Sequence, residues 1–442
     1  MRVRRAYVRV TNAPSSGHSS TSERAATSVV ESAASQGTPV VVPDGKRFVQ
    51  LVLVLGSLIA LGPLTIDMYL PAFPSLGEDL NAPDTAVQLT LTGMLGGLAV
   101  GQLFIGPLSD AVGRRLPLLL GLVTHVAASL ICAIAPNIMV LSGVRVVQGF
   151  AGAAVSVVAM ATVRDLFHGV AMVRMISRLM LVIGLAPILA PSIGGLILQW
   201  TDWRGIFLVL AAVAVVLIGV AALGLQETLP PERRRTVGIM PTLRTYRSLF
   251  RDTTFIALVF MGGLMFSSLF IYVSGASFVL QGVYGLDERQ FGLVFGANAL
   301  TLTVFSQINP ILVRRFGPTN VLTGAIVFNV VASGLLVVAG TTGFGGLIGI
   351  LIPLAMVLGG AGLALPNTPA LALTRHGEAA GTAAAMLGFV QFGVGAVVAP
   401  LVGLLGSDSA VPMGAVMLAV TLLALALMFG VVRRDETVTL MR

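Results

Sequence analysis

An aspartate and an arginine stand in stretches of this chain that are otherwise apolar. Asp67 belongs to Thr65-Ile-Asp67-Met-Tyr69-Leu-Pro71, and Arg145 to Leu141-Ser-Gly-Val-Arg145-Val-Val-Gln148-Gly149. A charged side chain at the centre of a membrane helix costs about 2.5–3.5 kcal/mol on insertion scales, so it needs a cavity or a partner. A carboxylate whose surroundings alternate between dry and wet can load and release protons, which is the chemistry Asp67 offers. The plainer reading of Asp67 is an interfacial residue, with Pro71 ending its helix. For Arg145 the plainer reading is a side chain snorkelling to the membrane surface, about seven residues away. Gln148, one helical turn on, is a neighbour for it in either case.

Two further stretches combine charge with helix breakers. In Gly106-Pro-Leu-Ser-Asp110-Ala-Val-Gly113-Arg114-Arg115 the glycines allow a tight turn and close helix approach. Asp110 there can cap the next helix or pair with an arginine; the alternative is a turn with a basic anchor. In Ala186-Pro187-Ile-Leu-Ala190-Pro191-Ser-Ile-Gly194-Gly195 the prolines kink a helix and the small residues admit a neighbour, which is also what a packing motif without transport specificity would need. Gly93, Gly97 and Gly101 recur every fourth residue and read as a packing stripe. Enzyme chemistry finds little support. His18, His125, His168 and His376 form no H-E-x-x-H arrangement, and Cys132 is the single cysteine, which excludes an intrachain disulfide and a thiol-metal cluster. No G-x-x-x-x-G-K-[ST] loop is present, so neither a metal, a cofactor nor ATP is expected to drive this chain.

The elements that must hold these residues follow from composition. Of 442 residues 56% are hydrophobic and 10% charged, with mean hydropathy +0.94; soluble domains carry about 25% charged residues. Apolar runs long enough to cross a bilayer lie near 48–71, 88–108, 116–135, 138–162, 174–198, 204–225, 254–279, 291–312, 320–340, 345–373, 381–405 and 411–432. The fifth and tenth are interrupted by prolines. Basic residues concentrate in alternate connections: Arg114 and Arg115, then Arg164, Arg174 and Arg178, a central cluster from Arg233 to Arg251, then Arg314, Arg315 and Arg375, and both tails. The other connections hold only Arg204 and Arg289. The positive-inside rule then places both termini in the cytoplasm and requires an even helix number. The net charge of +8 is therefore a membrane-topology signal, and no nucleic-acid partner is expected.

The expected architecture is an all-α membrane protein of twelve helices in two six-helix lobes. Its parts are a disordered cytoplasmic tail over 1–46, an N-terminal lobe over 47–225, a cytoplasmic central loop over 226–252, a C-terminal lobe over 253–432 and a cytoplasmic tail over 433–442. Short basic turns recur between the second and third helices of each half, at Gly113-Arg114-Arg115 and Arg314-Arg315-Phe316-Gly317. Paired six-helix halves describe one large class of secondary transporter.

At the four motif sites the chain resembles the major facilitator superfamily. The stretch from Gly106 to Arg115 is similar to its G-x-L-x-D-[RK]-x-G-[RK]-[RK] motif, with Ala111 where a basic residue is usual. Arg145, Gln148 and Gly149 match its R-x-x-Q-G pattern. The fifth-helix stretch resembles the antiporter motif G-x-x-x-G-P-x-x-G-G, with Ala186 and Ala190 replacing the first two glycines. The run Asp67-Met-Tyr69-Leu-Pro71-Ala72 and the stretch Asp202-Trp-Arg-Gly-Ile-Phe207 look like the Bcr/CflA branch of drug:proton antiporters. The resemblance implies alternating access and proton-driven efflux of small hydrophobic or amphiphilic molecules from the inner membrane by a functional monomer. It implies Asp67 as the proton-coupling carboxylate and Arg145 as part of that coupling. A dedicated exporter or importer of one metabolite is the alternative on the same fold. Tyr69, Asn298 and Gln391 are candidate substrate-lining residues; Gln307, Asn309 and Asn367 could equally line a pathway or bond between helices.

Overall fold

The computed structural model describes residues 45–234, 246–374, 376, 380–406 and 408–435. The expected disordered tail lies outside the described residues up to position 44, as do 235–245 of the central loop, Arg375 and 436–442.

Twelve helices among the described residues are long and apolar enough to cross a membrane. In chain order they are α1 (Gly45–Asp67), α2 (Asp84–Val112), α3 (Arg115–Ala133), α4 (Ile138–Leu166), α5 (Gly169–Ile197) and α6 (Trp203–Gly224), then α7 (Thr253–Ser277), α8 (Glu288–Phe316), α9 (Pro318–Thr342), α10 (Gly346–Thr374), α11 (Ala380–Val398) and α12 (Val411–Gly430). Polar residues sit at their ends, where backbone N–H groups lack helical partners. The side chains of Asn137, Asp202 and Asp252 cap α4, α6 and α7, and Asp287 with Gln290 forms a capping box at α8. Outward faces carry bare apolar side chains such as Phe104, Val216 and Leu223, the last 92% exposed. Such faces are stable against lipid rather than water.

The prolines act differently from helix to helix. Pro187 and Pro191 lie inside a continuous α5, and Pro353, Pro366 and Pro369 inside a continuous α10. The first helix, expected to reach 71, stops at Asp67. Pro71 and Pro74 stand where the α-helical donors to the Asp67 and Leu70 carbonyls would be, and proline has no N–H. The chain tightens into a 3₁₀ turn, Leu70–Ala72, then a short helix, Phe73–Asp79. The eleventh span is also broken: α11 ends at Val398, and a short helix, Leu401–Leu405, follows Pro400.

Packing repeats from the first six helices to the last six. In the first, α1 meets α4, α5 and α6, α2 meets α4, and α3 meets α4 and α6. Adding six to each label gives the second set: α7 with α10, α11 and α12, α8 with α10, and α9 with α10 and α12. The two lobes join mainly through α5 with α8 and α2 with α11, a pair of contacts that the same operation exchanges. An even number of crossings puts the start of α1, the end of α12 and the central connection on one face, the arginine-rich face.

Candidate functional site

Asp67 is the last residue of α1 and is 5% exposed. Among the described residues no hydrogen bond or ion pair reaches its carboxylate. The interfacial reading of Asp67 therefore gives way to a buried one, at the point where α1 breaks. From the other lobe Tyr272 of α7 is near enough for the two groups to interact electrostatically. Tyr272 accepts a hydrogen bond on its hydroxyl from Asn298 Nδ2 at 3.2 Å, and its ring stacks on Phe295 with centroids 4.8 Å apart. Asn298 thus serves helix-to-helix bonding in this conformation.

Arg145 is fully buried, so it does not snorkel. Nor does it pair with Asp67. Its Nη1 donates to Gln148 Oε1 at 2.7 Å and to the Thr65 carbonyl at 3.2 Å. Thr65 lies in the last turn of α1, whose final carbonyls lack helical donors, and a cation is favoured at that end of the helix dipole. Arg145 therefore caps α1 two residues before Asp67. Its guanidinium carbon sits 4.8 Å from the centre of the Tyr69 ring and 5.7 Å from that of Phe207. Among the described residues Nε and Nη2 of Arg145 are buried without a hydrogen-bond partner.

Further polar groups, not singled out from the sequence, complete the network. Gln148 Nε2 donates to Ser129 Oγ at 2.8 Å. His125 Nε2 lies 3.0 Å from Thr65 Oγ1, which itself donates to the Leu61 carbonyl at 2.6 Å. With the hydroxyl hydrogen so used, the network assigns the ring proton to His125 Nε2. Thr65, His125, Ser129, Arg145 and Gln148 are all fully buried. The sequence signal for the histidine was its spacing of four from Ser129 inside an apolar helix, which puts both on one face. Tyr69 is also fully buried, and its hydroxyl donates to Thr90 Oγ1 at 2.8 Å because Thr90 donates onward to the Val87 carbonyl. It holds Arg145 rather than lining an open pathway here. Gln391 is half-buried on α11, near Gly262 of α7.

At the arginine-rich face Asp110 pairs with Arg114 at 2.6 Å and does not cap α3. Arg114 also bonds Ser109 Oγ at 2.7 Å and Asp165 Oδ2 at 2.9 Å, and Thr228 donates to the same Asp165 oxygen at 3.1 Å. The cap of α3 comes from the central connection. Glu227 accepts from the backbone N–H groups of Arg114 at 2.8 Å, Arg115 at 3.2 Å and Leu229 at 3.0 Å. Partial burial raises the proton affinity of Glu227, but those three N–H groups and the charge of Arg234 outweigh it and hold the carboxyl below its ordinary range. Gly113 has a φ of +101°, and a Cβ there would lie 2.6 Å from Glu227 Oε2, so the turn needs glycine twice over. Arg115 donates to the Ala222 carbonyl at 2.8 Å. Gly106 is half-buried, and a side chain there would meet open space.

The glycines of the other motifs bring backbones together. A Cβ on Gly149 would collide with the Met94 carbonyl of α2, one on Gly97 with the Val146 carbonyl of α4, and one on Gly93 would come within 2.8 Å of the Ser142 carbonyl. In α5, Gly194 abuts the Met68 carbonyl just beyond Asp67, and Gly195 abuts the Glu288 carbonyl of α8. Pro191 faces Gly292 and Ile188 faces Gly296, again on α8. The helix-five stretch is therefore a joint between lobes. The hydrogen bonds that tie lobe to lobe fall in the half away from the arginine-rich face or near mid-helix, among them Ser192 to the Gly292 carbonyl, Thr303 to the Gly184 carbonyl and Gly403 N to Gln88. On that far face Asp79 accepts from Arg204 at 2.6 Å and from the Trp203 ring N–H at 3.1 Å.

Two six-helix lobes with one packing pattern, a buried charged network in one of them and no metal-binding cluster among the described residues describe a carrier. Residues 55–400 match the model of the Major Facilitator Superfamily. The chain belongs to that superfamily. It is a multi-pass membrane transporter and not an enzyme. It is 38% identical over 397 residues to the uncharacterized transporter YdgK of Bacillus subtilis, covering 88% of this chain and 97% of that one. It is 33% identical to the bicyclomycin resistance protein homolog of Haemophilus influenzae, covering 82% and 91%. Multidrug resistance protein D of Escherichia coli is 29% identical, with 78% and 86% covered. These relatives agree with the Bcr/CflA resemblance read from the sequence. Among solved structures the fold is similar to the xylose transporter XylE of E. coli in a partially occluded inward-open form, with TM-score 0.71 at 14% identity over 88% of this chain and 98% of that one.

Proposed function

We propose that this transporter exports small hydrophobic or amphiphilic drug-like molecules across the cytoplasmic membrane in exchange for protons, by alternating access. The arginine-rich face is cytoplasmic in this reading, by the positive-inside rule. The observation that carries the proposal is Asp67: a buried carboxylate without a counter-ion among the described residues, at the broken end of α1, within electrostatic reach of Tyr272 of the other lobe. An unpaired charge in a dry site is costly, and a helix C-terminus disfavours an anion. The conformation seen, joined at the far half, therefore suits the protonated acid. Deprotonation on the cytoplasmic side makes room for substrate. Rocking of the lobes exposes the site to the far side, substrate leaves, and a proton returns. Substrate and proton are then antagonistic ligands of one carboxylate, linked as any two coupled ligands are. Arg145 holds the end of α1 in place without neutralising Asp67. No cofactor takes part, and one chain carries the whole site. The names of the relatives, which speak of bicyclomycin, chloramphenicol and multiple drugs, support the substrate class.

The test is efflux of cationic and neutral drugs from expressing cells, with and without an uncoupler, for the natural protein and Asp67→Asn. Export should collapse with the uncoupler, and Asp67→Asn should bind substrate yet lose the pH dependence of transport. Unchanged pH-dependent export by Asp67→Asn would refute the role given to Asp67. Absence of export for every compound from well-expressed protein would favour a carrier dedicated to one metabolite.

A further inference from the structure

The broken tip of α1 is tied to the opposite lobe by side chains that the transport motifs do not include. Pro74 denies the Leu70 carbonyl its α-helical donor, and the 3₁₀ turn leaves the Leu70 and Pro71 carbonyls facing α7. Ser277 Oγ donates to the Leu70 carbonyl at 2.7 Å. Gln281 Nε2 donates to the Pro71 carbonyl at 3.2 Å and to Ser277 Oγ at 2.7 Å. Ser277 is the last residue of α7 and is fully buried; Gln281 lies within the π-helical turn, Phe278–Val283, that follows. Wide turns of this kind are rare and gather at functional positions, because the extra residue re-aims a side chain. Here it aims Gln281 back across the lobe boundary.

We infer that Ser277 and Gln281 form a latch that holds the far side of the transporter shut by gripping the tip of α1. It rests on the alternating-access reading above, and it names the contact that must break for the site to open outward. Other far-side joints are glycine-to-backbone packing between α5 and α8, the packing of α2 against α11, the contact of the Phe73 and Phe278 rings with centroids 5.7 Å apart, and a few hydrogen bonds. Among the described residues the latch supplies the hydrogen bonds that reach from the other lobe to the segment beginning directly after Asp67, so the state of that carboxyl and the state of the far gate share one short piece of chain. Gly194 supports the same segment from α5 by lying against the Met68 carbonyl. The latch residues are positioning residues: they touch neither Asp67 nor Arg145 in the contacts observed.

The experiment measures distance across the far face. Spin labels go on the exposed positions Asn81 and Arg289, one in each lobe, in a Cys132→Ala background, with the full chain in nanodiscs. Removing the latch with Ser277→Ala plus Gln281→Ala should shift the closed-to-open ratio toward the longer distance by about tenfold, the effect of losing the two hydrogen bonds that cross between lobes, each of ordinary net worth. Gln281→Ala alone, at a half-buried site that tolerates truncation, should shift it by about threefold. Gly292→Leu is the control, since a side chain there would press on Pro191 and Ser192 of α5 and wedge the far side open. If Gly292→Leu lengthens the distance and neither latch variant does, the latch is wrong and alternating access stands. If no variant lengthens it, the latch and the alternating-access reading fall together. A latch effect that persists while efflux proves independent of protons would leave the latch in place and count against the proton reading alone.

Discussion

Arg145→Met should abolish transport while leaving the fold nearly as stable as before. Loss of a wholly buried side chain usually costs several kcal/mol, so the expectation runs against the ordinary outcome. The terms are set by what the guanidinium does. It makes two hydrogen bonds from one nitrogen, to Gln148 and Thr65, worth about 1.5–3 kcal/mol each for a charged donor. Its stacking on Tyr69 adds roughly 1–2 kcal/mol. Against this, Nε and Nη2 are buried without partners, at about 1–3 kcal/mol each, and the insertion cost of about 2.5–3.5 kcal/mol is recovered when the charge is removed. The opposing terms agree to within a few kcal/mol. Methionine fills much of the same volume and flexes to fit. The assay pairs a melting curve in detergent with substrate efflux. A melting temperature within a few degrees of the natural protein, together with lost efflux, supports a functional arginine held at an energetic disadvantage. A collapse of the melting temperature would refute the reasoning and make Arg145 a structural residue whose two bonds outweigh its burial.

Two further predictions concern the motifs. Glu227→Gln should flatten the acid side of the stability profile. Because its carboxyl is held below the ordinary range in the folded protein, its stabilisation is present above that range and is lost as pH falls through the depressed value. Melting temperatures from about pH 6 downward in detergent should therefore fall more steeply for the natural protein than for the variant, by an amount near 1 kcal/mol given the exposure of the group; parallel curves would mean that the cap on α3 carries no weight. Gly149→Leu should cost about 1–3 kcal/mol or more, since its side chain meets the Met94 carbonyl across α2 and α4, whereas Gly106→Leu, with open space around it, should leave the melting temperature unchanged. Equal melting temperatures for the two variants would show that α2 and α4 yield to the extra volume.

Much of the architecture was legible because lipid leaves a chain few choices. Apolar run lengths located all twelve helices, and the alternation of arginines fixed their parity. Asp67 and Arg145 stood out for the same reason: a charge is conspicuous where charges are expensive. What they bond to was not legible. Arg145 caps the carbonyl of Thr65, a residue 80 positions away, through a close approach of α1 and α4 that no local pattern announces. Glu227 caps a helix that begins 112 residues earlier in the chain. His125 and Ser129 looked like ordinary polar residues of an apolar helix until α1 and α4 were packed around them. The break after Asp67 was readable in part. Pro71 marked a helix end, but it is Pro74 that denies the Leu70 carbonyl an α-helical donor, and Ser277 of the other lobe bonds that carbonyl beside the 3₁₀ bond from Phe73 N–H.

The same packing pattern in both lobes carries very different chemistry, and that difference limits how coupling can work. The first lobe buries Asp67, His125 and Arg145. Helices α7 to α12 have no charged residue away from their ends. In the proposed cycle a proton taken up by Asp67 would meet no charged residue away from the helix ends of the second lobe, only the nearby Tyr272 hydroxyl, and its effect would have to cross at a contact between lobes. The joint of α5 with α8 sets Gly195, Gly292 and Gly296 against backbone, the joint of α2 with α11 sets Gly388 against the Gln102 side chain and Gly395 against Leu95, and among the described residues the hydrogen bonds across these joints link neutral groups. The contact of α1 with α7 differs. There the tip beyond Asp67 meets Ser277 and Gln281, and the carboxyl is near enough to interact electrostatically with Tyr272, whose hydroxyl is held by Asn298. In the proposed cycle the helix-on-helix joints would transmit the rocking of the lobes, and the contact of α7 with the turn after Asp67 would decide when it occurs.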